Sequence, residues 1–224
     1  MKRVIIVCEG QTEQSFCNDV LIPYFSQFEI YLETPTIKKT HGGIVNWAAL
    51  KYQIVKHLLE DKNAFVTTLI DYYGLYTHHE YPGWDEAEKK VNRNERMDIL
   101  EREMTNDIQE NLRHRFMPYI QLHEFEGILF SDISVFDRNF EEEEFLDYKY
   151  LESTIRENPN PELINNGTET APSKRLSKII DGYYSDNENL KVLYGALLAH
   201  DIGLNKIREK CPRFNNWIVQ IENM

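Results

Sequence analysis

Cysteine is scarce in this sequence. Cys8, Cys17 and Cys211 are the only three in 224 residues, and none stands in a CxxC spacing. An odd number without ligand spacing argues against a disulfide frame or a zinc knuckle and suits reduced thiols in a cytosol. Long apolar runs are also missing; none approaches the roughly 20 residues of a membrane span, and no signal peptide is visible ahead of the first apolar segment. The expectation is a cytoplasmic protein with no membrane partner. A GxxxxGK[ST] phosphate loop is absent, so the chain is not expected to hydrolyse ATP itself. Basic residues are few: 25 Lys and Arg against 37 Asp and Glu give a formal charge of −12, which excludes a chain that coats nucleic acid non-specifically.

What is present describes a folded domain. Hydrophobic residues make up 42% and aromatics 12%, enough for a packed core and too much for wholesale disorder. The charge is uneven: residues 171–213 carry eight Lys/Arg against five Asp/Glu, the remainder 17 against 32. A polyanionic substrate could meet that basic stretch, while an acidic site elsewhere would need metal ions to tolerate it.

Along the chain, strand and helix alternate. Residues 3–8 (RVIIVC) read as a buried strand and 13–28 as a helix with Phe16, Val20, Leu21 and Tyr24 on one face. Residues 30–38 look extended, with a proline that suits an edge. Asn46 is a plausible N-cap for a helix to about Asp61, striped by Trp47, Leu50, Ile54 and Leu58. Residues 65–70 (FVTTLI) form the next strand and end in Asp71. A loop over 72–84 precedes a long charged helix over 85–116, broken near Asn92–Asn94; 119–123 (YIQLH) is a short strand, and a helix starts at 124–131. This rhythm predicts an α/β fold with a mostly parallel sheet and helices on both faces over residues 1–135. Residues 136–224 (an acidic run at 141–144, a turn-rich segment and two or three helices) read as a helical portion appended to that core.

Ligands of open parallel sheets sit beyond the carboxyl ends of the strands. Three strands end there in acids: Glu9 after the first, Asp71 after FVTTLI, Glu124 and Glu126 after YIQLH. Glu13, one helical turn past Glu9, can reach back to the same edge. Such a crevice would drive up each member's pKa unless a cation neutralised it, and hard oxygen donors favour Mg²⁺ or Mn²⁺ over zinc. Taken singly, each acid has a plainer explanation. Glu13, Glu124 and Glu126 could be first-turn acids favoured by a helix dipole, and Asp71 could open a turn before Gly74.

The apolar strand ending in EGQTE, the second ending in IDYYG and the later HEFEGILFSD resemble the Toprim fold, and most of all the small stand-alone Toprim proteins related to the overcome-lysogenization-defect (OLD) nucleases. The likeness covers residues 3–132 and extends more loosely to Lys174. It implies that Glu9 is the first metal-binding glutamate, Glu13 the extra acid of the OLD-like branch, and Asp71 the first Asp of an Asp-x-Asp pair. Tyr73 occupies the second Asp position, a departure that leaves Glu124 and Glu126 to supply the missing ligand. Lys174, in TAPSKRL, matches the lysine that offsets transition-state charge; a basic first turn on an exposed helix explains it equally. The function implied is a Mg²⁺-dependent nuclease acting on DNA, with RNA less favoured. Its partner would be a separately encoded ABC-type ATPase in bacterial defence against phage, and a homo-oligomer remains open.

Other features carry less. The pair His78–His79 lacks a partner at ligand spacing. His123 could orient a ligand or be a satisfied edge histidine. The loop aromatics Tyr72, Tyr73, Tyr76, Tyr81 and Trp84 could stack on unpaired bases or pack the loop onto the core. Lys206, Arg208, Lys210 and Arg213 could meet a phosphate backbone or form a polar helix face. Two other readings stay open: a phosphoacceptor domain using Asp71, and a non-catalytic binding or regulatory subunit.

Overall fold

The computed structural model describes residues 2–38, 45–164, 167–183 and 188–224. Asn165 and Asn166 of the turn-rich segment lie outside them. In chain order, β1 (Lys2–Cys8) leads into α1 (Gln11–Phe16), a wide π-helical turn (Cys17–Leu21) and α2 (Ile22–Ser26), then β2 (Ile30–Glu33), α3 (Trp47–Glu60) and β3 (Ala64–Asp71). The helices α4 (Trp84–Ala87), α5 (Arg93–Asp107) and α6 (Glu110–Arg113) precede the two-residue strands β4 (Phe116–Met117) and β5 (Ile120–Gln121). A 3₁₀ turn (Phe125–Ser131) follows, then α7 (Ile133–Asn139), α8 (Tyr148–Glu157), α9 (Pro172–Ile179), α10 (Glu188–Ile202), α11 (Leu204–Lys210) and α12 (Pro212–Glu222).

The fold is α/β. The sheet order is β2-β1-β3-β4, with β5 continuing the β4 edge, and every pairing is parallel. The chain steps from β1 to β2 on one side, then returns past β1 to β3 and continues outward. The direction of winding therefore reverses between β1 and β3, and such switch points open a crevice at the strand carboxyl ends. Alternation along β1 divides the core. Val4, Ile6 and Cys8 face one apolar layer while Ile5 and Val7 face the other, as period-2 strands require. On one side pack α3 through Leu50, Ile54 and Leu58 and α5 through Met97 and Leu100. On the other pack α1, α2, the 3₁₀ turn and the C-terminal helices, whose Phe214, Trp217, Ile218 and Ile221 share a core with β1. Trp217 Nε1 donates to Thr67 Oγ1 at 2.9 Å, fastening α12 to the sheet itself. At Gly195, α10 comes so close to α1 that a Cβ would stand 2.8 Å from Thr12 Cγ2.

Several expected boundaries move. The charged stretch over 85–116 breaks near Asn92–Asn94 as expected, Asn92 accepting from Asn94 N–H and starting α5 afresh, but it breaks a second time before α6, and Phe116 belongs to β4. Its charge-rich composition favours helix throughout and so conceals the second break. The strand expected over 119–123 shrinks to β5 at 120–121, and Pro118, which has no N–H to give the ladder, separates it from β4. Thr68 Oγ1 bridges the interruption, donating to Tyr119 O and accepting from Tyr119 N, both at 2.9 Å. The helix expected over 13–28 ends at Ser26 and contains the π turn, and that over 124–131 is 3₁₀. The Asn46 cap is present, accepting from Ala49 N–H at 3.0 Å. Among the described residues, no helix is long and apolar enough to cross a membrane.

Candidate metal centre

The switch-point crevice collects acids from the ends of β1 and β3, from α1 and from the start of the 3₁₀ turn. Glu9 leaves the end of β1, and its backbone N–H still pairs with Leu69 O on β3 at 2.9 Å. Its Oε2 accepts from the backbone N–H of Asp71 at 2.9 Å, so the two strand ends are tied together through an acid. Asp71 Oδ1 in turn accepts from Phe125 N–H at 2.9 Å, which ties β3 to the 3₁₀ turn that Glu124 precedes and that holds Glu126. Glu13 Oε2 accepts from Gly10 N–H at 2.8 Å, the reciprocal half of a capping arrangement. The cap reading of Glu13 and the crevice reading are thus both realised by one side chain. Glu124 accepts from Ser173 twice, from the backbone N–H at 2.8 Å and from Oγ at 2.9 Å. That contact brings the first turn of α9, and with it Lys174, to the same edge.

The electrostatics show how close these acids are. The Asp71 carboxyl is pushed well above the usual carboxylate range, first by burial and then by the charges of Glu9, Glu13, Glu126 and Glu124. Glu13 is pushed up to about 7, chiefly by burial and next by Glu9, with Glu126 adding to it. Glu13, Glu124 and Glu126 are all nearly inaccessible to solvent. All five acids singled out in the sequence are therefore brought to one place. They are neighbours rather than a closed coordination shell: among the described residues, no three His, Cys, Asp or Glu donors are gathered at metal-binding spacing. The donor set still fits a hard divalent cation, being oxygen only, desolvated and mutually repulsive in the ionised form. Glu9, Asp71 and Glu124 come from strand ends and would hold such an ion, while Glu13 and Glu126 flank them.

The remaining sequence candidates divide. His123 is buried at φ 68°, and among the described residues its Nδ1 has no hydrogen-bond partner, so it is not the satisfied edge histidine. Burial, followed by the charge of Arg93, lowers it to about 4. In the aromatic loop, Tyr72 and Tyr81 pack into the core while Tyr76 stays exposed. His79 Nδ1 accepts from Tyr76 N–H at 3.0 Å, which gives it a turn-closing role. Arg208 is bound to Glu222 at 2.6 Å and to Tyr24, and Arg213 to Glu101 and Asp98; both are internal ties. Glu141, Glu142 and Glu143 are solvated surface. The bond of Ser173 to Glu124 is a contact that sequence reading missed. The place of Ser173 beside Lys174 was the one available signal.

A parallel α/β sheet with an acid-lined switch point defines the class of this protein. Within that class the chain belongs to the family described as a domain of unknown function, DUF4276, whose model matches residues 8–222. Comparison with curated proteins and with solved structures returned no match.

Proposed function

We propose that this chain is a divalent-metal-dependent nuclease that cleaves DNA phosphodiester bonds. The observation that carries the reading is the crowding of Glu9, Glu13, Glu124 and Glu126 around the Asp71 carboxyl. An arrangement that raises the energy of its own ionised form is rarely kept for stability alone, and perturbed carboxyls cluster at functional sites. A bound Mg²⁺ or Mn²⁺ would polarise a phosphoryl oxygen and lower the pKa of a bound water. The chain's own part is positional. Phe125 N–H orients Asp71, Asp71 N–H orients Glu9, and Ser173 orients Glu124. Lys174, next to Ser173 on α9, would offset phosphate charge that builds during cleavage. The resemblance to OLD-like Toprim proteins supports the same reading and adds a separately encoded ATPase partner, a role in phage defence and a cytoplasmic setting.

A second reading, a non-catalytic subunit that binds an ATPase partner, draws on Tyr73 at the position of the second Asp. The two part in one experiment. Mg²⁺ and Mn²⁺ are titrated against wild type and Asp71→Ala, reading melting temperature and plasmid cleavage, each with and without the neighbouring ATPase. Ion-dependent stabilisation and cleavage, both lost in Asp71→Ala, are expected. Metal-independent melting with no cleavage in any combination would replace the nuclease with the binding subunit.

A further inference from the structure

Arg93 opens α5, where the helix dipole disfavours a cation. Arg96, one turn on, is fully engaged, with Nη1 2.8 Å from Glu88 Oε1 and 3.1 Å from the Tyr72 hydroxyl. Arg93 has no such ties. Among the described residues its half-buried guanidinium has no hydrogen bond and no carboxylate at ion-pair distance, in a chain with 37 acids. Its Cζ stands 5.9 Å from the centroid of the Tyr72 ring. That ring is itself fixed, since its hydroxyl donates to Glu88 at 2.6 Å and Trp84 packs beside it at 6.2 Å. Tyr72 directly follows Asp71, so this shelf is joined to the acid crevice by one peptide bond. Tyr73 N–H donates to His123 O at 2.7 Å, which seats His123 against the same strand end that carries Tyr72. His123 is 3% exposed, and among the described residues its Nδ1 has no partner. Two independent observations therefore meet beside the crevice: an arginine without an acid and a buried imidazole nitrogen without a hydrogen bond.

We propose that Arg93, seated on Tyr72 and backed by His123, is an anion subsite that takes a phosphate group of the substrate next to the acid cluster. A planar guanidinium on an aromatic shelf is preorganised for two parallel bonds to phosphate oxygens. It supplies positive charge on the β3 side of the crevice, while Lys174 supplies it from the α9 side. The inference rests on the phosphoryl-chemistry reading above and names where a flanking phosphate is held.

The test is binding, not cleavage. Inorganic phosphate and then a short single-stranded DNA are titrated, in Mg²⁺, against wild type, Arg93→Gln and Arg93→Lys. Arg93→Gln is expected to weaken both by about tenfold or more. Arg93→Lys should recover only part of this, because an ammonium lacks the guanidinium fork. Melting should not change, since Arg93 pairs with no acid. Phosphate affinity unchanged in Arg93→Gln, or absent in wild type, overturns the subsite whatever the cleavage assay gives. Phosphate binding that falls while DNA affinity holds supports the anion subsite and counts against nucleic acid as its source.

Discussion

Two groups of buried acids lie about the same sheet, and they are built on opposite terms. On one, the Glu101 side chain on α5 is 19% exposed, and its partial burial pushes the carboxyl up. Arg213 answers it, with Nη2 2.6 Å from Glu101 Oε2 and Nη1 2.7 Å from Asp98, while Ile120 N–H donates to Glu101 at 2.8 Å. Nearby, Glu162 caps α12 by accepting from the N–H groups of Arg213 and Phe214, each at 2.9 Å. On the other, the strongest influences on Asp71 after burial are four further carboxylates. Burial of an acid is thus not by itself the mark of a site; the sign of its nearest neighbours is. The first group joins the C-terminal helices to the sheet, and the second stands at the switch point where a ligand can approach.

The largest expected effect breaks this comparison by stability. Arg213→Ala strands Glu101; removal of one partner of a fully buried pair costs about 3–5 kcal/mol, and this partly exposed pair should lose toward the lower end of that range. Asp71→Asn should cost nothing or stabilise the metal-free protein, because it removes a repelled charge and leaves an oxygen to accept from Phe125. Urea unfolding of both variants in EDTA decides it. If Asp71→Asn proves as damaging as Arg213→Ala, Asp71 is a structural acid and the contrast fails.

The next effect sharpens it by pH. Glu13 has a folded-state pKa of about 7 against an ordinary value of 4.5, so the folded protein binds more protons than the unfolded chain between those values. Stability without metal should therefore fall as pH rises from about 4.5 to about 7, by a few kcal/mol. Glu13→Gln should flatten that slope. Mg²⁺ should oppose it, since a cation favours the ionised carboxylates. A metal-free melting temperature that rises across this window would show that the repulsion around Glu13 is already compensated.

How much of this was legible in the sequence follows from range. Strands β1 and β3 and helix α3 announce themselves through dense apolar periodicity, and the acids at their ends could be placed by the strand-end rule alone. The two-residue strands β4 and β5 are too short to show a period. In the 85–116 stretch the break at Asn92 was legible from its capping asparagine, whereas the second break, between Asp107 and Glu110, lies among good helix formers and was not. Ser173 and Arg93 were illegible for another reason. Each acquires its meaning from a residue brought near only by the fold, Glu124 in one case and Tyr72 with His123 in the other. His123 carries no sequence mark of its positive φ, because that conformation is imposed by the turn between β5 and Glu124.

The smallest effect separates holding a carboxylate from merely capping a helix. Ser173→Ala removes the Oγ bond to Glu124 but leaves the backbone N–H in place. The loss should be about 1 kcal/mol of stability, typical of one hydrogen bond. If Glu124 is a ligand, losing a group that orients it should also weaken metal binding by roughly 10-fold, as such supporting contacts do. If Glu124 serves only to receive the first turn of α9, stability will fall and metal affinity will not. The comparison then contracts to Glu9, Glu13, Asp71 and Glu126.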